Sequence, residues 1–98
     1  MTRVSIEKTS AADNEKIRNL LGSIGPLRIS QDQSILVKPN VCHHCNTENM
    51  ILSDFNLVKS VIQVLRELST NITVVESDNR SGTADDRAKR SGLLEMLE

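Results

Sequence analysis

Ile35-Leu36-Val37-Lys38-Pro39-Asn40-Val41 is the stretch of sequence that decides the predicted fold. Residues 35 to 37 are all apolar, which is typical of a central strand covered on both faces. Pro39 has no N–H to donate and therefore ends the ladder of backbone hydrogen bonds. The stretch predicts a buried strand that delivers two polar side chains, Lys38 and Asn40, at its carboxyl end.

Two further strands are predicted, one before and one after this stretch. Arg3-Val4-Ser5-Ile6-Glu7 alternates polar and apolar residues with the period of a half-buried strand. Ile72-Thr73-Val74-Val75 is short, rich in β-branched residues and mostly apolar, as many strands are. The chain therefore contains the material for a sheet of three strands.

Helical periods separate the predicted strands. Apolar residues recur at positions i, i+3, i+4 and i+7 from Ile17 to Ile24. A wider apolar face runs from Leu57 to Leu68, behind Ser53, which is a favourable N-cap. These patterns predict one helix after the first strand and a second helix after the central strand.

A third, short helix is predicted near the end of the chain. Thr83 has the spacing of a capping residue, and Gly92 suits the left-handed position that closes a helix. Between them, the charged run from Asp85 to Arg90 predicts a helix face in contact with water.

The elements follow the order β-α-β-α-β-α. Strands joined through helices by short loops require crossovers, so they run parallel. We predict a single α/β domain over residues 1–98, built as a small three-layer unit with a mainly parallel sheet. Its final residues, Leu97-Glu98, match a common cloning scar, so we expect the chain of residues 1–98 to be an excised fragment of a longer protein.

The composition argues against two classes of partner. Twelve Lys and Arg residues balance 13 Asp and Glu residues, and the chain has a single aromatic residue, Phe55. Nucleic-acid binding usually needs a basic surface or stacking aromatic side chains, so we expect no nucleic-acid partner. No apolar run approaches the length of a membrane span, so we expect no membrane partner and a cytoplasmic location.

Polar residues are predicted to gather where the parallel strands end. In open α/β sheets, ligands bind beyond the carboxyl ends of the strands. Lys38 and Asn40 follow the central strand, and Glu76 and Asp78 follow the last one, so these four residues are the predicted ligand site. The alternative is that Lys38 extends into solvent and that the loop after residue 75 is polar without a function.

Both cysteines and both histidines of the chain stand in four consecutive positions, Cys42-His43-His44-Cys45. A Cys-x₂-Cys pair chelates a tetrahedral metal well, so zinc or iron at Cys42 and Cys45, with His43 and His44 as further candidate ligands, is one interpretation. Adjacent histidines point apart, so the ligand set needs side chains from elsewhere. Two alternatives stay open: a redox dithiol, which the late start of the next helix does not favour, and loop residues without a special role.

The second half of the chain resembles the family catalogued as domain of unknown function 362. The shared features are the strand ending in Lys38-Pro39-Asn40, the long loop into the helix that ends near Leu68, the strand running into Glu76-Ser77, and the turns at Ser81-Gly82-Thr83 and Arg90-Ser91-Gly92. The resemblance implies a longer α/β protein, often one that carries ferredoxin-like iron–sulfur modules, with an unassigned activity. This chain has no Cys-x₂-Cys-x₂-Cys run, so an iron–sulfur cluster would lie in a missing portion of the parent protein.

Taken together, these patterns predict a ligand- or metal-binding part of a larger redox or iron–sulfur-associated protein. Its partners would be the remainder of the parent chain or a redox partner. A non-catalytic interaction or scaffold module and a Cys-x₂-Cys thiol–disulfide protein are the alternatives. The sequence names no reaction and no substrate.

Overall fold

The structure is a computed structural model, and it describes residues 3–8, 13–23, 25, 27–43, 52–80 and 82–98. Its helices and strands follow in this order: α1 Asn14–Ser23, β1 Ile35–Val37, α2 Phe55–Leu65, β2 Ile72–Val74, α3 Ala84–Arg90 and α4 Leu93–Leu97. The three predicted helices are confirmed, and α4 is an additional one.

The two strands form a parallel pair, as predicted for the central and last strands. Ile35 lies opposite Ile72, and Val37 lies opposite Val74. The ladder extends beyond the strands at both ends, because Ile35 N–H donates to Asn71 C=O and Val75 N–H donates to Val37 C=O, each at 2.9 Å. The carboxyl ends of β1 and β2 therefore meet at one edge.

The predicted three-layer β-α-β-α-β-α architecture is wrong. The described residues contain four helices and a sheet of only two strands. β1 is not covered on both faces either, since Leu36 is 68% exposed. A two-stranded sheet is too narrow to separate two full layers of helices, so the protein is mostly helix and coil.

The missing strand is the predicted first one. Residues 3–8 have no regular secondary structure, and Val4 and Ile6 are 80% and 90% exposed. The segment contacts α1 instead: the Ser23 hydroxyl donates to Ser5 Oγ at 2.6 Å, and Lys16 Nζ donates to the Lys8 carbonyl at 3.3 Å. An alternation over five residues specifies a strand only where a sheet edge receives it, and these contacts hold the segment on a helix.

The long loop between β1 and α2 is closed at its base by Ser53, which was predicted to cap α2. Ser53 Oγ accepts a hydrogen bond from Asn40 N–H at 2.8 Å, and Ser53 N–H donates to Asn40 C=O at 3.0 Å. The N-cap is the next residue, Asp54, whose carboxylate accepts from Asn56 N–H at 2.9 Å. The predicted helix start was therefore early by one residue, and Ser53 positions the loop instead.

Replacing this cap tests the assignment. We expect Asp54→Ala to lower the free energy of unfolding by about 1 kcal/mol, because Asn56 N–H loses its acceptor at the helix start. Lys59→Ala, on the exposed side of the same helix, is the control and should change it by less than about 0.5 kcal/mol. Urea unfolding followed by circular dichroism measures the free energy of unfolding of both variants. Equal losses in the two variants would show that Asp54 is not the N-cap of α2.

One cluster of buried apolar residues lies at the two ends of the long loop. Val41 and Leu52 are buried together with Leu93 at the start of α4, and partly buried residues pack around them: Phe55, Ala88 and Met96. The packing therefore fixes the point at which the chain leaves the carboxyl edge of the sheet. No helix within the described ranges is long and apolar enough to cross a membrane.

Candidate functional site

Two of the predicted ligand residues meet at the carboxyl edge of the sheet. Lys38 Nζ lies 3.1 Å from Glu76 Oε1, and the side chain of Lys38 is 59% exposed whereas that of Glu76 is only 12% exposed. The contact arises from the topology, because each residue follows one of two paired parallel strands. The pair presents a lysine ammonium to solvent on top of a half-buried carboxylate.

The carboxylate of Glu76 interacts with three donors. Besides Lys38, its Oε1 accepts from Ser77 N–H at 2.8 Å, and its Oε2 accepts from Val41 N–H at 3.0 Å. Burial alone would raise the pKa of Glu76, but the hydrogen bonds from Ser77, Val41 and Lys38 favour the charged form and together lower it. Glu76 is therefore an ionised carboxylate that binds the backbone of both loops.

Arg87 binds the same two loop residues from the other side. Its guanidinium donates to the carbonyl of Val41 and to the carbonyl of Ser77, and its side chain is completely buried. Glu76 thus accepts the N–H groups of Val41 and Ser77 while Arg87 donates to their C=O groups. We call this arrangement of Glu76, Arg87, Val41 and Ser77 the loop clamp.

The loop clamp joins the two chain segments by hydrogen bonds beyond the point where the backbone ladder of the sheet ends. Val41 and Ser77 lie beyond the ladder, where their backbone groups would otherwise need water or a turn. Two charged side chains supply the hydrogen bonds instead, and a charged partner makes each bond stronger than a neutral one. The two loops are consequently held against each other beneath Lys38.

The burial of Arg87 contradicts the prediction that the run from Asp85 to Arg90 faces water. Asp85, Asp86, Lys89 and Arg90 are exposed as predicted, but Arg87 is not. The spacing of small residues in the sequence could have indicated this burial. Ala84, Arg87 and Ala88 stand at positions i, i+3 and i+4, so they share one side of α3. The two small residues mark the side of the helix that packs inward.

The other two predicted ligand residues have structural partners. Asp78 Oδ1 accepts from Ala84 N–H at 2.7 Å and so supports the start of α3, where Thr83 also caps the helix. Asn40 is exposed, and its backbone forms the pair with Ser53 that closes the long loop. Lys38 and Glu76 are in contact, whereas Asp78 and Asn40 hold the surrounding loops.

The predicted metal ligands are only partly within the described residues. Cys42 is exposed, and His43 is half-buried. His44 and Cys45 lie outside the described residues. In the part of the chain that the structure describes, no group of three His, Cys, Asp or Glu side chains is arranged to hold a metal ion.

Comparison with known proteins gives no relative from which to transfer a function. No family model, no curated protein and no solved structure matches the chain. The resemblance to domain of unknown function 362 therefore stays a prediction.

Proposed function

We propose that this protein is a binding module that holds a small anionic ligand at the carboxyl edge of its two parallel strands. The observation that carries the proposal is the Lys38–Glu76 pair, in which a half-buried carboxylate positions an exposed ammonium above the loop clamp. Lys38 is the residue that would contact the ligand.

The chemistry of Lys38 selects the class of ligand. An ammonium group has three N–H donors, and its contact with Glu76 uses one of them. The other donors suit a phosphate or carboxylate group as a compact positive charge. Glu76 is already occupied by three donors, so its contribution is to orient Lys38 and not to bind the ligand.

The position in the fold supports the same proposal. The site lies beyond the carboxyl ends of two parallel strands, the edge at which ligands bind in larger open α/β sheets. Glu76 and Arg87 hold both loops through backbone atoms, so the lysine stands on a fixed base and little ordering is required on binding.

Binding of inorganic phosphate and of succinate tests the proposal. The chain has no Trp or Tyr, so amide chemical shifts in NMR are the better probe. We expect saturable shifts around residues 38–42 and 76–78, and an affinity at least tenfold lower in Lys38→Met, which keeps the aliphatic stem and removes the charge. Lys59→Met, on the exposed face of α2, is the matched control and should bind as the wild type does.

Two results would reject the anion site. One is the absence of saturable shifts with either probe, and the other is equal binding by Lys38→Met and the wild type. The melting temperature of Lys38→Met is measured in parallel, so that a loss of binding is not confused with a loss of fold.

In its wider setting, we propose a cytoplasmic module of a larger redox or iron–sulfur-associated protein, a proposal supported by the resemblance of residues 30 to 95 and by the balanced charge. An interaction or scaffold module is the second candidate, and the exposure of Val4, Ile6 and Leu36 favours it. The proposed metal and thiol–disulfide roles of Cys42 and Cys45 depend on residues outside the described ranges.

A further inference from the structure

The outer edge of β2 has no strand beside it in the described part of the chain. In a parallel ladder, alternate residues direct their N–H and C=O groups to opposite sides. Asn71 and Val75 bond to β1, so the backbone groups of Ile72 and Val74 point away from it. An edge of this kind is a ready template for another strand.

A mostly apolar groove runs along this edge. It consists of two adjoining cavities that share Val74 and Leu97 in their walls. Arg66 lies in the wall near the amino end of β2, and Asp85 lies in the wall near its carboxyl end. The groove is thus apolar in the middle, basic at one end and acidic at the other.

The chain also carries a strand-like segment that no strand pairs with in the described residues. Val4 and Ile6 are the most exposed large apolar side chains described, at 80% and 90%. Ser5, between them, accepts a hydrogen bond from Ser23 on α1 at 2.6 Å. Ser5 thus contacts α1, whereas the side chains of Val4 and Ile6 on either side of it are left to solvent.

We propose that two copies of this chain form a dimer in which residues 3–7 of each copy add as a strand to the outer edge of β2 in the other. Val4 and Ile6 would fill the apolar middle of the groove. Their exposure means that they do not occupy the groove of their own chain. The exchange is reciprocal, so it closes as a twofold dimer and covers the outer edge of β2 in both copies.

Charge selects the direction of the added strand. Arg3 and Glu7 stand at the two ends of the segment, about 13 Å apart when extended, on the face opposite Val4 and Ile6. Both side chains are long enough to bring their charged groups round the ends of the added strand to the two ends of the groove. In the antiparallel direction, Arg3 comes to the Asp85 end of the groove and Glu7 comes to the Arg66 end. The parallel direction would place like charges together at both ends, so the added strand is antiparallel.

Sedimentation and light scattering over a concentration series test the dimer. We expect the wild type to approach twice the 10.9 kDa mass of one chain and Val4→Ser/Ile6→Ser to raise the dissociation constant at least tenfold. Both side chains are exposed in the single chain, so the double variant should keep the melting temperature that the wild type has at concentrations where it is a monomer. Leu36→Ser, which removes another exposed apolar side chain outside the groove, should not alter the dimer.

A charge exchange tests the direction of the strand. Asp85→Lys should weaken the dimer at least several-fold, and adding Arg3→Glu in the same chain should restore it. Hydrogen exchange at the amides of Ile72 and Val74 should slow as the protein concentration rises.

Several results would overturn the proposal. They are a monomer at every concentration, a dimer that Val4→Ser/Ile6→Ser does not weaken, equal weakening by Leu36→Ser, and exchange at Ile72 and Val74 that is independent of concentration. A monomer whose edge is protected only by another protein would likewise exclude a second copy as the occupant.

Discussion

Arg87→Ala is expected to be the most destabilising single substitution at the candidate site. The guanidinium donates to the carbonyls of Val41 and Ser77, and truncation removes the partner of a buried acceptor at Val41 and of a part-buried acceptor at Ser77. An unsatisfied buried polar group costs about 1–3 kcal/mol, so the free energy of unfolding should fall by about 3 kcal/mol or more. For a domain of this size, that is a loss of about 10–25 °C in melting temperature.

Variants of the same helix separate this effect from a general loss of helix. Lys89→Ala removes an exposed cation two residues further along α3 and should change stability by less than about 0.5 kcal/mol. Arg87→Lys keeps the charge but lacks the planar fork that reaches two carbonyls, so it should fall between wild type and Arg87→Ala. Thermal unfolding of the three variants measures the series, and an Arg87→Ala protein that melts with the wild type would show that the loop clamp does not stabilise the fold.

Much of the carboxyl edge could be predicted from the sequence because it follows from topology. The apolar run before Lys38 and the β-branched run before Glu76 have the character of strands, and a helix between them requires a parallel pair. Parallel strands end at the same edge, which brings Lys38 and Glu76 together without any motif. The predicted contact needed only element types and their order.

The loop clamp could not be predicted in this way. Arg87 lies 46 positions from Val41 in sequence, and Glu76 lies 35 positions from it, so no local pattern connects them. Each bond also ends on a backbone atom, which has no residue-type signature. The charged residues on either side of Arg87 indicated a solvent-exposed helix face. Tertiary packing alone determines that one residue of such a run is buried.

The failed first strand has a different cause. The alternation of polar and apolar residues from Arg3 to Glu7 belongs to the segment itself, but a strand forms only when a second strand is available for backbone hydrogen bonds. Ser23 and Lys16 of α1 form hydrogen bonds with residues 5 and 8, and these contacts compete with the pairing of the segment to a strand. In the proposed dimer, a second molecule supplies the sheet edge for this segment. The alternation of residues 3–7 would then reflect a strand that forms only in the dimer.

Glu76→Gln is expected to reduce stability at neutral pH and to remove part of the protein's sensitivity to acid. The amide cannot accept from Val41, Ser77 and Lys38 as a carboxylate does, so the free energy of unfolding at pH 7 should fall by about 1–3 kcal/mol. The folded pKa of Glu76 lies below its ordinary value of 4.5, since hydrogen bonds to the charged form outweigh burial. A depressed pKa means that the stabilisation is complete above about pH 4.5 and is lost as the pH falls through the folded pKa.

The decisive measurement is therefore the difference in stability between wild type and Glu76→Gln as a function of pH. It should be constant from about pH 7 to pH 5 and shrink towards zero as the pH falls through the folded pKa of Glu76, because the wild-type carboxyl group then becomes protonated too. Glu67→Gln is the control: the pKa of Glu67 is also lowered, through Arg18, but that ion pair is exposed at 47% and 49%. Its difference from wild type should be much smaller at every pH, because solvent screens the pair. A Glu76→Gln difference that persists unchanged at low pH would mean that the variant acts through packing, and the ionised carboxylate would then not be what holds Val41 and Ser77 together.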